Sequence, residues 1–160
     1  MFRMIFLLWA LLAALAASAP PPSLLAPRAD SCVGDPHAER YCTPIEYRDK
    51  TIDSSPSASF CEQTCQSVLT DPGDWAVDFN GMPAGYRDAL MLGTCIFSVG
   101  RATDTDTSGF TVMLSNQDIV GVMGEVIKKF AGKHGGKIRA EVVMQCQVTQ
   151  IVRFFIGVGI

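Results

Sequence analysis

The chain has 160 residues, 48% of them hydrophobic, with 13 Lys and Arg against 16 Asp and Glu, a formal net charge of −3. That balance argues against a nucleic-acid partner, because phosphate binding relies on clustered Lys and Arg. The length admits a single domain with a core of its own.

The first residues set the expected compartment. Met1 to Met4 carry one positive charge, Arg3, and Ile5 to Ala16 are apolar without interruption. Ala14, Ala16, Ala17, Ser18 and Ala19 then supply the small residues of a cleavage site, the layout of a secretory signal peptide over residues 1–19. The run is shorter than the roughly 20 residues that span a bilayer, and it leads into Pro20-Pro21-Pro22. Its removal would leave 12 basic against 16 acidic residues. Residues 20–31, which open with PPPSLLAPRAD, read as a proline-rich spacer. Residues 32–160 then form one folded domain.

Cys42 to Ser54 is polar and irregular around Tyr47, a loop or a short edge strand. Ser55-Pro56 can open a helix, since proline loses nothing in a first turn. Ser59 with Glu62 has the spacing of a capping box. Cys61, Cys65, Val68 and Leu69 follow at i, i+4, i+7 and i+8, so they share one face, predicted to be buried. DWAVDF alternates like a short strand, and GMPAGYRDALMLG reads as a loop with a helical turn. TCIFSVGR and GFTVML, separated by TDTDTSG, predict a hairpin over Thr94 to Leu114.

SNQDIVGVMGEVIKKFAG is the strongest helix. Ser115 and Asp118 have capping-box spacing, and Ile119, Val122, Met123, Val126, Ile127 and Phe130 form an apolar stripe that Gly132 is expected to stop. Gly121 and Gly124 weaken it by up to about 1 kcal/mol each, and allow close packing on a neighbour. KIRAEVVMQCQV and IVRFFIGVGI predict a closing hairpin. The last ten residues, broken by Arg153, are too few to cross a membrane, so stable membrane insertion is not expected. These elements predict an α+β fold: a two-layer sandwich in which an antiparallel sheet of about four to five strands carries two helices on one face.

The six cysteines, Cys32, Cys42, Cys61, Cys65, Cys95 and Cys146, all follow the leader and read as three structural disulfides. Cys61 and Cys65 are neighbours on a helix, but their Cβ atoms lie beyond the roughly 3.8 Å of an unstrained bridge, so each should pair elsewhere. Zinc would need two more ligands, and His37 and His134 have no ligand spacing. GKHGGKI lacks the glycine and the Ser/Thr of a phosphate loop. DTDTSG, Asp104 to Gly109, resembles half a calcium loop but has Ser115 where the bidentate glutamate belongs. Asp71, Asp74 and Asp78 read as a polar strand edge and turn rather than paired catalytic carboxylates, and neither histidine has an identifiable nucleophile. No metal, cofactor or enzymatic activity is expected. Trp75, Phe79, Met82 and Tyr86, around a proline- and glycine-containing segment, are the candidate partner surface, with core anchoring as the competing reading.

The order of these features resembles a fungal family of small secreted effectors, the necrosis-inducing factor domain named after the extracellular protein Ecp-two. The resemblance runs from Cys42 to about Phe155. Its front is carried by Cys42, Tyr47, Thr51, Ser55-Pro56 and Cys61, its middle by Trp75 and GTCIFSV around Cys95, and its back by NQDIVGVMGEVIKKF, GGKI and VMQC ending at Cys146. Phe60 stands where the family commonly has an acidic residue, and Phe154 or Phe155 where it has a closing tryptophan.

The resemblance implies a secreted protein acting on a host or a competitor, and the leading expectation is a monomer that binds a host protein and modulates host cell death or immunity, in the apoplast or after entry into host cells. A killer-toxin-like antimicrobial acting on competing microbes is the alternative. It implies a killer-toxin-like sandwich and no catalytic residue. It also marks Cys42, Cys61, Cys95 and Cys146 as the shared cysteines, leaving Cys32 with Cys65 as an added pair.

Overall fold

The computed structural model describes residues 32–35, 37–71 and 73–157. The expected leader and spacer, and the last three residues of the closing strand, lie outside the described residues. Seven strands and two helices follow one another: β1 (Cys42–Asp49), α1 (Ala58–Thr70), β2 (Trp75–Asp78), β3 (Arg87–Met91), β4 (Ile96–Arg101), β5 (Thr111–Leu114), α2 (Asn116–Phe130), β6 (Ala140–Cys146) and β7 (Gln150–Gly157). Five strands form an antiparallel sheet in the order β1-β6-β7-β4-β3, and β2 pairs with β5 in a second, two-stranded sheet. The fold is α+β and disulfide-stapled, as the sequence predicts.

Period-two alternation decides which sheet face is buried. Ala140, Val142, Met144 and Cys146 of β6 point inward beside Val152, Phe154 and Ile156 of β7 and Phe97 and Val99 of β4. They share one core with Cys61, Cys65 and Val68 of α1 and with Ile119, Val122, Met123, Val126 and Phe130 of α2. The alternate residues, among them Glu141 and Val143 of β6, Arg153 and Phe155 of β7 and Ser98 and Gly100 of β4, form the other face.

Several local expectations are corrected. The hairpin over Thr94 to Leu114 does not form: β4 pairs with β3 and β7, while β5 crosses to β2. Arg87 to Met91, expected in a loop, is an edge strand. Its residues are uniformly half-buried, so no alternation marks it. The segment after Cys42 is a full eight-residue edge strand, with a register shift between Pro44 and Glu46. Such a bulge and a proline both discourage further pairing at an edge. Leu69 is 41% exposed, because the buried stripe of α1 is only Cys61, Cys65 and Val68.

The capping box at Ser59 and Glu62 is absent. Ser57 is the N-cap, its hydroxyl bonds that of Ser59 at 2.8 Å, and the first free amide, Ala58 N–H, donates instead to Gly136 O at 2.7 Å. Gly132 does not end α2 either. The chain continues into a 3-10 turn, Ala131–Lys133, and reverses at Gly135 and Gly136, with φ of 60° and 85°.

The capping box of α2 does form, and it does more than cap. Asp118 accepts from Ser115 N–H at 2.8 Å, and also from the backbone N–H groups of Tyr41 and Cys42 at 3.0 and 3.1 Å. One buried carboxylate therefore ties the start of α2 to the start of β1. Gly124 brings the other end of this junction close: a Cβ there would sit 2.7 Å from Cys32 O. Asp118→Ala is expected to cost about 3 kcal/mol, because it removes the cap and orphans two buried amides, whereas Ser115→Ala should cost about 1 kcal/mol. Urea unfolding of the two variants measures the difference.

Candidate functional site

The disulfides fix the frame. Cys32 bonds Cys65, Cys42 bonds Cys146, and Cys61 bonds Cys95. Cys42 and Cys146 are directly opposed across β1 and β6. The two cysteines of α1 serve different bridges: Cys61 fastens the turn before β4, and Cys65 fastens the amino-terminal segment. All six sulfurs are buried, and no cysteine among the described residues is free.

The segment from Trp75 to Tyr86 is held from beneath. Arg101 ends β4 on the inward side, in phase with Phe97 and Val99, and is only 2% exposed. Its guanidinium donates to four carbonyls: Nε to Ser108 O at 2.8 Å, Nη1 to Pro83 O at 2.9 Å, and Nη2 to Phe79 O and Met82 O at 2.7 and 2.8 Å. It also lies 5.1 Å from the Phe79 ring centroid. Two loops are thus fastened to the end of β4.

Phe79 must be removed from the candidate surface. It is fully buried, packed at 5.0 Å on Phe110 and at 6.2 Å, edge-on, on Tyr86. A ring that covers a buried guanidinium serves as an anchor. Trp75, Met82 and Tyr86 are half-buried: Trp75 and Tyr86 pack against the core, and each of the three leaves part of its side chain exposed. Trp75 Nε1–H donates to Asn116 Oδ1 at 2.7 Å, which fixes the indole against the start of α2. Sequence reasoning missed Arg101, although its place at i+4 from Phe97 in an apolar strand was the available signal.

The open face of the large sheet carries a second constellation. Arg48 on β1 bonds Glu141 on β6 at 2.7 Å, and Arg153 on β7 lies 3.8 Å from the same carboxylate and 2.5 Å from Asp104. Phe155 stands between two guanidiniums, 3.7 Å from Arg87 and 5.1 Å from Arg153. Gly100 makes the room, since a Cβ there would meet the Phe155 ring at 3.0 Å. These charges are matched to one another, so the face is a braced surface with little net charge.

The other sequence candidates are dispersed. Asp104 and Asp106 do not converge on an ion. Arg153 hydrogen-bonds Asp104 and holds its carboxyl below the usual range, and the Ser108 backbone does the same for Asp106. Asp78 bonds Asn80, Asp74 accepts from Tyr41 Oη at 2.7 Å, and Asp71 offers its backbone carbonyl to Asn116. That phenol is pushed up to about 12 by its bond to Asp74. Among the described residues no group of three His, Cys, Asp or Glu side chains is placed to hold a metal. His37 lies in the amino-terminal segment, where its backbone N–H donates to Asp35.

His134 pairs with Asp49, Nε2 to Oδ2, at 2.7 Å. Burial pushes the Asp49 carboxyl up, but hydrogen bonds from His134 and Thr51 outweigh it and hold it at about 2, below the ordinary 3.8. A carboxyl depressed in the folded state contributes stability above its ordinary value and loses it as pH falls toward the folded one. Asp49→Asn should therefore be less stable than the parent above pH 3.8, with the gap closing near pH 2. Acid titration of both proteins, followed by tryptophan fluorescence, reads that convergence.

What this arrangement offers chemically is surface held in place: a clamped segment presenting Trp75, Met82 and Tyr86, and a braced sheet face. A protein-family model, Hce2, described as "pathogen effector; putative necrosis-inducing factor", matches residues 41–146. The matched span contains both cysteines of the Cys42–Cys146 and Cys61–Cys95 bridges and only one of the Cys32–Cys65 bridge. No curated protein matches the chain.

Proposed function

This chain belongs to the Hce2 family of pathogen effectors, and on that premise we propose that it is secreted, binds a host protein and thereby alters host cell death or immunity. The contact we assign is the segment bearing Trp75, Met82 and Tyr86. The observation that carries this reading is the Arg101 clamp, which spends a buried guanidinium on four loop carbonyls and so holds the Met82 to Tyr86 stretch in place, beside a Trp75 fixed by the β2–β5 ladder and by Asn116. Pre-ordering lowers the entropic cost of association, and Trp and Tyr are the side chains most often found at energetic centres of interfaces. Three buried disulfides suit an oxidising, protease-rich extracellular space.

The proposal is that action is by binding and not by turnover. Neither histidine hydrogen-bonds a serine, threonine or cysteine side chain among the described residues; His134 is occupied with Asp49. The test is a dose series of purified protein in host tissue, alongside His134→Ala, His37→Ala and a Trp75→Ala/Tyr86→Ala double variant. The expected result is a saturating response that survives both histidine changes and is lost in the double variant. Loss of the response in either histidine variant, or its persistence in the double variant, would overturn the reading.

A further inference from the structure

The sequence shows a short basic run at Lys128 to Lys137, which alone reads as a solvated helix end. The fold enlarges it. Asp49 is in register with Ala140, and Lys50 N–H donates to Arg139 O, so the end of β1 joins the start of β6 at the carboxyl end of α2. One pole of the molecule thereby gathers Lys50, Lys128, Lys129, Lys133, Lys137 and Arg139. The carboxylates there are Asp49, held by His134; Asp53; and Glu125, shared by Lys128 and Lys129 at 3.7 and 3.8 Å, with Glu62 one turn up α1. Lys50, Lys133, Lys137 and Arg139 have no ion pair among the described residues, and Lys137 spends its ammonium on a carbonyl, Asp53 O.

The same pole exposes apolar tips. Ile52 follows β1 and is 51% exposed; Phe60 lies in the first turn of α1, which is fastened to this pole by Ala58 N–H on Gly136 O, and is 42% exposed. Leu92, 79% exposed, follows β3 beside the turn into β4, whose Ile96 pairs with Gly157 against Arg139. Phe60 and Leu92 line one shallow groove with Met91. Asp71 and Asp74 lie at the opposite end, by the amino terminus of α2: Asp71 O accepts from Asn116, and Asp74 accepts from Tyr41, whose backbone N–H bonds Asp118. That helix has 15 residues, so it is about 22 Å long, beyond the roughly 8 Å over which charge is felt at physiological salt. A chain of net negative charge thus has one basic end.

We propose that this pole docks on an anionic lipid surface, with the ammonium groups at the headgroups and Leu92, Phe60 and Ile52 entering the interfacial layer. Clustered lysines beside exposed large apolar side chains are the two components of peripheral membrane attachment. A partner matched by charge alone would leave the apolar tips without a role. The docking is independent of the Trp75 segment and inserts no helix; among the described residues none is long and apolar enough to cross a membrane.

The test uses the secreted, disulfide-bonded protein and sedimentation with phosphatidylcholine vesicles, with and without phosphatidylserine, at low and high salt. Binding is expected only with phosphatidylserine, and to weaken with salt. Each ammonium at such a surface is worth about fivefold, so Lys50→Gln/Lys133→Gln should lose about 25-fold. Leu92→Ser should weaken binding while leaving its salt dependence unchanged. Circular dichroism of these surface variants should match the parent. Absence of binding, or equal binding to both vesicles, would overturn the proposal. So would soluble polyglutamate binding as tightly as vesicles with no effect of Leu92→Ser, which would assign the pole to an acidic polypeptide.

Discussion

Arg101→Met is expected to lower the unfolding free energy by about 4 kcal/mol, and Arg101→Lys to lower it nearly as much. The guanidinium satisfies four carbonyls from two loops while only 2% exposed. A hydrogen bond from a charged donor is worth about 1.5 to 3 kcal/mol net, and a buried acceptor left without one costs about 1 to 3 kcal/mol. Against this stands the relief of no longer burying a cation, which keeps the expected loss well below the sum of four bonds. Lysine keeps the charge, but a single ammonium cannot span carbonyls that a planar fork reaches together. Denaturant titration followed by Trp75 fluorescence reads the effect directly, because Trp75 lies on the clamped segment. A loss below about 1 kcal/mol would mean that the loops hold themselves, and would remove the argument for a pre-ordered surface.

The second large effect belongs to the bridge between Cys42 and Cys146. It closes a loop of 104 residues, whereas Cys32–Cys65 and Cys61–Cys95 close 33 and 34. On chain-entropy grounds the long bridge contributes about 4.7 kcal/mol and each short one about 3.8 kcal/mol. Cys42→Ser/Cys146→Ser should therefore be the least stable of the three paired variants. It should also loosen the edge strand, since β1 is paired on one side only. Equilibrium unfolding of the three double variants tests the order, and hydrogen exchange of the β1 amides tests the location.

How far the fold was legible depended on whether local pattern and long-range pairing agreed. α2 shows its period and its cap in one stretch, and β6 alternates cleanly and leads through a short turn into the apolar run of β7, so those elements stood where the pattern put them. β4 and β5 are each readable as strands, but adjacency in sequence does not decide pairing. The span between them is folded back by Arg101 reaching to Ser108, and Phe79 N–H bonds Phe110 O at 2.8 Å to continue the β2–β5 ladder. No spacing rule carries that information. Edge strand β3 was illegible because half-burial on both sides erases alternation.

The surface was less legible than the fold. Phe79 sits among glycine and proline, where an aromatic reads as exposed, yet it covers the buried Arg101 guanidinium. Trp75 and Tyr86 pack half-buried against the same core that takes Phe79 whole. The basic pole shows the same limit: Lys128 to Lys137 is visible as a run, but Lys50 and Arg139 join it only through the β1–β6 register.

On the proposed function, a folded, disulfide-held surface, and not a linear peptide or a turnover activity, acts on the host. Infiltration of host leaf tissue with native protein, beside the same protein reduced and alkylated, tests it most directly. Cell death or an altered immune response is expected with native protein alone. An equal response to both forms, or no response to either, would contradict it.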